Sequence, residues 1–488
     1  MVTQERLAEI VGAGNVAADP AVLETYAADQ SFVGKVTPRF VAKVDGLESV
    51  KKLVTLAKET GTGLVPVSSG GPHFHGDTVP SISDAIIVDL SGMKKIDLID
   101  SFERVASMIE PGVTFGELIP AVAKHGLRLN MPLRPRATKS VVGSMLSREP
   151  VIMPHYHWDI ADPIGSTEVV FGTGDMFRTG AAAGPGDIAE QRKGGGVQKE
   201  AAGPSASSLH RMLQAAQGTL GIVTWASARC ELIPDREQPF FIAADQPAKL
   251  LEAAHWLIRL RLGNELLMLN NIDVAALMAE DDLTYAKLVA KLPKWVLFVN
   301  FGAYKYFPDM RMEGVIQDAR ELMQRLSLQM LQNVGGIGAG EFLDAIRRPS
   351  AEPYWKLRWG GGVQDIFFVT TYAKIPGQIK VMTEAAEAAG YSPAKMGIYL
   401  QPIVQGTNCH VEFNLFYDPS DAVEKAAVRG LVTSTIQPLM NAGAFYSRPF
   451  GEATHQIMNR DAGSAEALKK FKAIVDPAGI LNPGKLCF

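Results

Sequence analysis

A strand-like run, GLVPVS (63–68), passes directly into Ser68-Ser69-Gly70-Gly71-Pro72-His73-Phe74-His75-Gly76. No other segment constrains the chain as tightly. Small residues in such a loop let backbone N–H groups approach an anion closely, as a phosphate nest requires. A tight turn carrying two incidental histidines is the plainer alternative. The loop matches neither GxGxxG nor GxxxxGK[ST], so it is neither a Rossmann fingerprint nor a P-loop.

Around the loop, strand-like and helix-like pieces alternate. PRFVAKV reads as a short strand. LESVKKLVTLAKETG places apolar residues at 50, 53, 54 and 57, one helical face ending in Gly61. AIIVDL and VASMIEPG follow as strands. TFGELIPAVAKHG follows as a helix that Thr114 and Glu117 can open with a capping box. This is an α+β arrangement with mixed strands. GAAAGPG and RKGGGVQKEAAGPS, within 180–204, read as a mobile surface loop. LQAAQGTLGIVTWASARCELIP reads as a turn and then a strand pair. The pattern shifts near 235, at PDREQP. Beyond it, long helical stretches alternate with strands such as WVLFVNFG, QDIFFVTTYA and VEFNLFYD, which suggests a second, α/β layered unit.

Composition excludes several classes. At roughly 150 residues per domain, 488 residues suggest two or three domains. Lys+Arg 48 against Asp+Glu 52 leaves no basic excess, which argues against nucleic-acid binding. Cys230, Cys409 and Cys487 form no CxxC pair, which argues against a disulfide framework, an Fe–S cluster or a Cys-rich zinc site. No apolar run approaches the roughly 18 residues that cross a bilayer, and the first residues hold no apolar leader. The expectation is a soluble cytoplasmic protein without membrane insertion.

Three further pieces join the Gly-rich loop. They are Glu110-Pro111-Gly112-Val113-Thr114-Phe115-Gly116-Glu117-Leu118, the turn Gly218-Thr219-Leu220-Gly221-Ile222-Val223-Thr224, and Asp476-Pro477-Ala478-Gly479-Ile480-Leu481-Asn482-Pro483-Gly484-Lys485. In this order and spacing the set resembles the vanillyl-alcohol oxidase/p-cresol methylhydroxylase flavoprotein superfamily. The resemblance implies an α+β fold, with a two-subdomain FAD-binding module (PCMH-type) and an α/β cap domain. It divides the chain into an FAD domain at 1–235, a cap at 236–469 and a C-terminal return to the FAD domain at 470–488. It further implies that Ser68, Ser69, Gly70, Gly71, Pro72, His73, Phe74 and Gly76 cradle the FAD pyrophosphate. Pro111, Gly112 and Val113 would lie along the cofactor, Gly143 and Ser144 against the flavin, and Gly221, Ile222 and Val223 near the adenine or ribitol part.

The same resemblance supplies candidates for the reacting face. His410, in Asn408-Cys409-His410-Val411-Glu412-Phe413, sits where the phenol-oxidising branch can carry a covalent 8α bond to FAD. The alternative is a strand histidine that hydrogen-bonds the flavin or a core neighbour. Asp159, in His155-Tyr156-His157-Trp158-Asp159, matches an acid near flavin N5, where a carboxylate can position a base or hold charge. Its alternative is a surface acid. Alternation of His155, His157 and Asp159 would also suit a metal, but no second ligand cluster accompanies it. Tyr446 stands where the branch has Tyr-Arg, with Arg448 one place late. A cation beside a phenol lowers its pKa. His75 replaces a family tyrosine and can donate to a phenolate or act as a base near neutral pH. Arg358-Trp359-Gly360-Gly361-Gly362 resembles a cap segment bordering the site, or is a loop before a buried strand. The His-x-Gly-Asp-Gly-Asn-x-His pattern of metal-dependent 2-hydroxy-acid dehydrogenases is missing, since Ile403 stands at its first histidine.

The implied function is an FAD-dependent oxidase or dehydrogenase that moves a hydride from a small substrate, a para-substituted phenol or benzylic alcohol, to flavin N5. Asp159, Tyr446, His75 and Arg448 are the catalytic candidates, and no resident metal is expected. A metal-free alcohol or 2-hydroxy-acid dehydrogenase is the alternative, and an FAD-binding subunit of a larger electron-transfer complex is another. A homo-oligomer and a cytochrome or other redox partner are the assemblies the resemblance suggests.

Overall fold

The structure is a computed structural model, and it describes residues 2–98, 106–157, 162–180 and 209–488. The expected surface loop at 180–204 lies almost wholly outside the described residues. Among the described residues, no helix is long and apolar enough to cross a membrane.

The first sheet has four strands, β1 (Val16–Ala17), β2 (Phe40–Lys43), β3 (Gly63–Val67) and β4 (Ala85–Asp89), in the order β1-β2-β4-β3. β2, β4 and β3 run parallel. The helix Leu47–Thr60 is the crossover, and it buries Val50, Leu53, Val54 and Ala57, the positions its periodicity marked. Gly61 ends it in the left-handed region, at φ 69°.

The second sheet has six strands: β5 (Ile96–Leu98), β6 (Ala106–Ile109), β7 (Leu127–Leu129), β8 (Ile164–Val170), β9 (Met176–Arg178) and β10 (Ile222–Leu232). β10 is central. The sequence suggests a strand pair there, but the segment is one eleven-residue strand. It bends at irregularities between Val223 and Trp225 and between Ser227 and Ala228, which lets it serve β8, β6 and β7 in turn. The helix Phe115–Ala123 begins as expected, with Glu117 Oε2 accepting from the Thr114 N–H at 2.9 Å and from its hydroxyl at 2.8 Å.

β11 (Arg236–Ala244), β12 (Leu266–Asn270), β13 (Trp295–Ala303), β14 (Met330–Leu331), β17 (Gly362–Thr370), β18 (Met396–Ile403) and β19 (Asn408–Tyr417) form the third sheet. β15 (Asn333–Val334) and β16 (Ile337–Gly338) make a separate hairpin. Strands and helices alternate along this half, yet every pairing in the sheet is antiparallel. Val411, Phe413 and Leu415 of β19 point into a core shared with Leu250, Leu257, Ile316, Met382 and Leu431 of the covering helices. Period-two alternation then sends His410, Glu412 and Asn414 to the opposite face.

The C-terminal segment packs beside the first sheet. Leu481 bridges to Leu64 of β3, and buried Lys472 donates to Asp476 Oδ2 at 2.6 Å, Thr219 O at 2.8 Å and Leu481 O at 3.0 Å. Gly221 allows a close approach in this region, because a Cβ there would lie 2.3 Å from Val169 Cγ2. Gly221→Ala is expected to lower folding stability by about 1–3 kcal/mol through overpacking, measurable by chemical denaturation.

Candidate functional site

A cavity of about 1800 Å³, open solvent included, separates the third sheet from the other two. One wall comes from the loop after β3, from residues 132–150 and from the turn before β10. The other is the polar face of β17, β18 and β19 with the segment Tyr354–Lys356.

The loop forms its wall through an unusual division of its backbone. Arg136 is buried at 3% exposure, and its guanidinium donates to Gly71 O at 2.9 Å and to Gly70 O at 3.3–3.4 Å. Asp29 Oδ2 accepts from the Gly76 N–H, and His73 O accepts from the Gln30 N–H. The carbonyls of Gly70, Gly71 and His73 are thus held by the protein. Among the described residues, the N–H groups of Ser69, Gly70, Gly71, His73, Phe74 and His75 have no partner within the protein. Unpaired amides beside a cavity suit an anion such as a diphosphate. A glycine at 143 allows the short helix Val141–Leu146 to close on this loop, since a Cβ there would lie 2.9 Å from Ser68 Oγ. These donors fit the pyrophosphate of an FAD.

Of the residues marked in the sequence, Ser68, Ser69, Pro72, His73, Phe74, His75, Pro111, Gly143, Gly221, Ile222, Val223 and Arg448 line this cavity. Gly70, Gly71 and Gly76 belong to the same loop without lining it. Gly112 and Val113 lie behind Pro111, with Gly112 against Ser91 O and Val113 in the core. Ser144 is buried and donates to Glu149 Oε2 at 2.6 Å. Asp159 and Trp158 lie outside the described residues. Residues 154–156 form a single 3-10 turn, not the extended segment that alternation needs, and His157 Nδ1 accepts from the Val404 N–H at 3.2 Å. Trp359 docks away from the cavity, with its indole N–H on Ala276 O and its ring stacked on Tyr285.

Tyr446 lines a second, smaller cavity, and its hydroxyl has no hydrogen-bond partner. The two cavities share Phe74, His75, Asp365, Phe367, Arg448 and Phe450. His75 stacks on Phe450 at 4.5 Å and meets the Phe367 edge at 5.7 Å. Arg448 lies 4.2 Å over the Phe367 ring and donates to Ser147 O at 3.0 Å. Burial, then Lys139 and Arg448, pushes His75 down to about 4, so it is neutral at pH 7. His75, Tyr446 and Arg448 therefore surround one aromatic junction, although Tyr446 approaches it from the second cavity alone.

His410 does not line either cavity. It stands behind Glu412, with Nε2 3.0 Å from Glu412 Oε2. Sequence reading missed the array in front of it. Lys356 Nζ donates to Asp365 Oδ2 at 2.8 Å and Glu412 Oε1 at 2.6 Å. Asn414 donates to Asp365 Oδ1 and Glu412 Oε1, both at 2.8 Å. Cross-strand register explains the cluster, because Asp365 pairs with Asn414 and Phe367 with Glu412. Alternation of His410, Glu412 and Asn414 within an apolar strand was a usable signal. Lys356 gave none. Lys139 and Glu149 form a further ion pair on the opposite wall.

Residues 38–180 match the family model described as FAD binding domain. The chain is 24% identical to an uncharacterized FAD-linked oxidoreductase of Mycobacterium tuberculosis, over 98% of this chain and 97% of that protein. It is 21% identical to the mitochondrial D-lactate dehydrogenase [cytochrome] of Arabidopsis thaliana, over 90% of this chain and 71% of that one. In fold it is similar to a crystal structure of p-cresol methylhydroxylase with substrate bound, at TM-score 0.84 and 18% identity, covering 99% of this chain and 96% of that one.

Proposed function

This chain is an FAD-dependent oxidoreductase with the fold of the vanillyl-alcohol oxidase/p-cresol methylhydroxylase superfamily, and from that premise we propose that it oxidises a small phenol or benzylic alcohol at the junction of its two cavities. The aromatic junction of His75, Phe367 and Phe450, with Arg448 beside it, carries this reading. FAD, when bound, supplies the two-electron acceptor for a hydride from the substrate carbon. The loop 68–76 would hold its diphosphate, and Pro111, Gly143, Ile222 and Val223 would line the rest of it. Residues 1–235 with 470–488 form the FAD unit, and 236–469 form the cap.

The aromatic rings take the flat face of the substrate and exclude water from it. Arg448 favours the ionised form of a substrate oxygen, and neutral His75 and the free Tyr446 hydroxyl offer hydrogen bonds to it. A 2-hydroxy acid is the second reading, because Lys356 and Arg448 place two cations on the cavity wall. Anaerobic mixing separates the two. Bleaching of the flavin by 4-alkylphenols or benzylic alcohols supports the first reading, and bleaching by 2-hydroxy acids alone replaces it with the second.

His410 makes no covalent bond to the cofactor in this reading. His410 is off the cavity wall, and its Nε2 is already engaged by Glu412. Acid precipitation is therefore expected to release yellow FAD into the supernatant. Colour retained in the pellet overturns this.

A further inference from the structure

Asp365 occupies a place that no other carboxylate in the cap shares. It lines both cavities, at the junction where His75, Phe367 and Arg448 also meet. Its two oxygens take one donor each, Asn414 on Oδ1 and Lys356 on Oδ2. Its neighbour Glu412 lines only the larger cavity and takes three donors, from Lys356, Asn414 and His410. A carboxylate has about four lone-pair sites. Asp365 thus keeps about two acceptor sites at the junction, while Glu412 keeps about one.

We propose that Asp365 is the group that accepts the proton of the substrate hydroxyl, and that Lys356 is the positioning residue that holds it there. The proposal rests on the reading of the chain as an oxidase of a hydroxyl-bearing substrate. The substrate O–H bond breaks and its proton passes to Asp365. The electron pair left on oxygen forms a C=O bond as the C–H pair leaves with its hydrogen as a hydride. FAD is the two-electron oxidant that takes it, so the substrate loses two electrons and two hydrogens.

The electrostatics divide the pair in the same sense. Burial lifts Asp365 above its ordinary range, and Lys356 offsets this only in part. Burial also acts on Glu412, but Lys356 and His410 outweigh it and hold Glu412 well below its range. Neighbouring carboxylates whose proton affinities are pushed apart are the usual mark of an acid–base assignment. The other charged or titratable groups around Asp365 are Tyr354, Arg448, His75 and buried Asp273. Burial pushes His75 down to about 4, so it is neutral near pH 7.

The test is the pH profile of anaerobic flavin reduction by whichever hydroxyl-bearing substrate reduces the wild-type holoenzyme. The rate should fall with falling pH through one ionisation above the usual carboxylate range, because protonated Asp365 cannot accept. Asp365→Asn should retain FAD and bind an inert phenol such as 4-fluorophenol with little change in Kd. It should lose reduction rate by about 10²–10⁴-fold, the typical share of a general base, together with the acid limb and the solvent isotope effect. Lys356→Arg should keep the limb at a shifted pH. An unchanged rate and limb in Asp365→Asn overturns the proposal, as does a limb that vanishes in Asp159→Asn instead. If Asp365→Asn yields no holoprotein, Asp365→Glu decides, and an unaltered profile there overturns it too. Failure of phenols and alcohols on the wild type refutes the substrate class, while the same variants still test Asp365 with a 2-hydroxy acid.

Discussion

Lys356→Met is expected to destabilise the protein by about 3–5 kcal/mol, the range for breaking a buried ion pair from one side. Lys356 is 6% exposed and is the cation bonded to both Asp365 and Glu412. Without it, two carboxylates remain on the third sheet with only Asn414 and His410 as donors. Much of the cost is desolvation left uncompensated, so the triple variant Lys356→Met, Asp365→Asn, Glu412→Gln should recover most of it. The single variant should also show a reversed pH response. Orphaned carboxylates bind protons more tightly folded than unfolded, so stability falls as pH rises and recovers as pH drops toward the usual carboxylate range. Denaturation midpoints at several pH values measure both effects. An unchanged midpoint would mean that the array is more hydrated than its burial indicates.

Arg136→Met is expected to weaken FAD binding by about 10- to 100-fold, because bonds to a charged donor are worth roughly 1.5–3 kcal/mol. Arg136 touches no part of the free-amide row. It fixes the carbonyls of Gly70 and Gly71: the Gly70 carbonyl shares its peptide plane with the unpaired Gly71 N–H, and the Gly71 carbonyl shares its plane with Pro72, which has no N–H. Losing that brace lets the loop turn its amides inward to pair with the protein. Arg136→Lys should restore only part of it, since an ammonium lacks the fixed planar geometry of the guanidinium fork. Titrating the deflavinated protein with FAD and following flavin fluorescence gives the ratio directly. An unchanged Kd would place the constraint on Asp29 and Gln30, which hold the same loop from its other side.

Much of the fold was legible before any coordinates. The helix Leu47–Thr60, the strands around it and the start of the helix at Phe115 follow from periodicity and caps, which are local. β10 reads as two strands in sequence but is one, because its pairing to three separate strands is decided far along the chain. The Gly-rich loop was legible for the same local reason as the helices, since small residues after a strand leave the backbone accessible.

The site divides along the same line. The sequence, with its family resemblance, located the loop Ser68–Gly76, Tyr446 and Arg448, and the strand bearing His410, but not Phe450. It could not say that Arg136 braces the loop from 65 residues away at Gly71, that Glu412 stands between His410 and the cavity, or that Tyr446 enters from a second cavity. Lys356 shows the limit most clearly. An isolated lysine in YWKLRWG looks like any solvated cation. Its burial exists only because β17 and β19 bring Asp365 and Glu412 together, and the energy of a charge is set by what surrounds it in space, not by its neighbours in the chain.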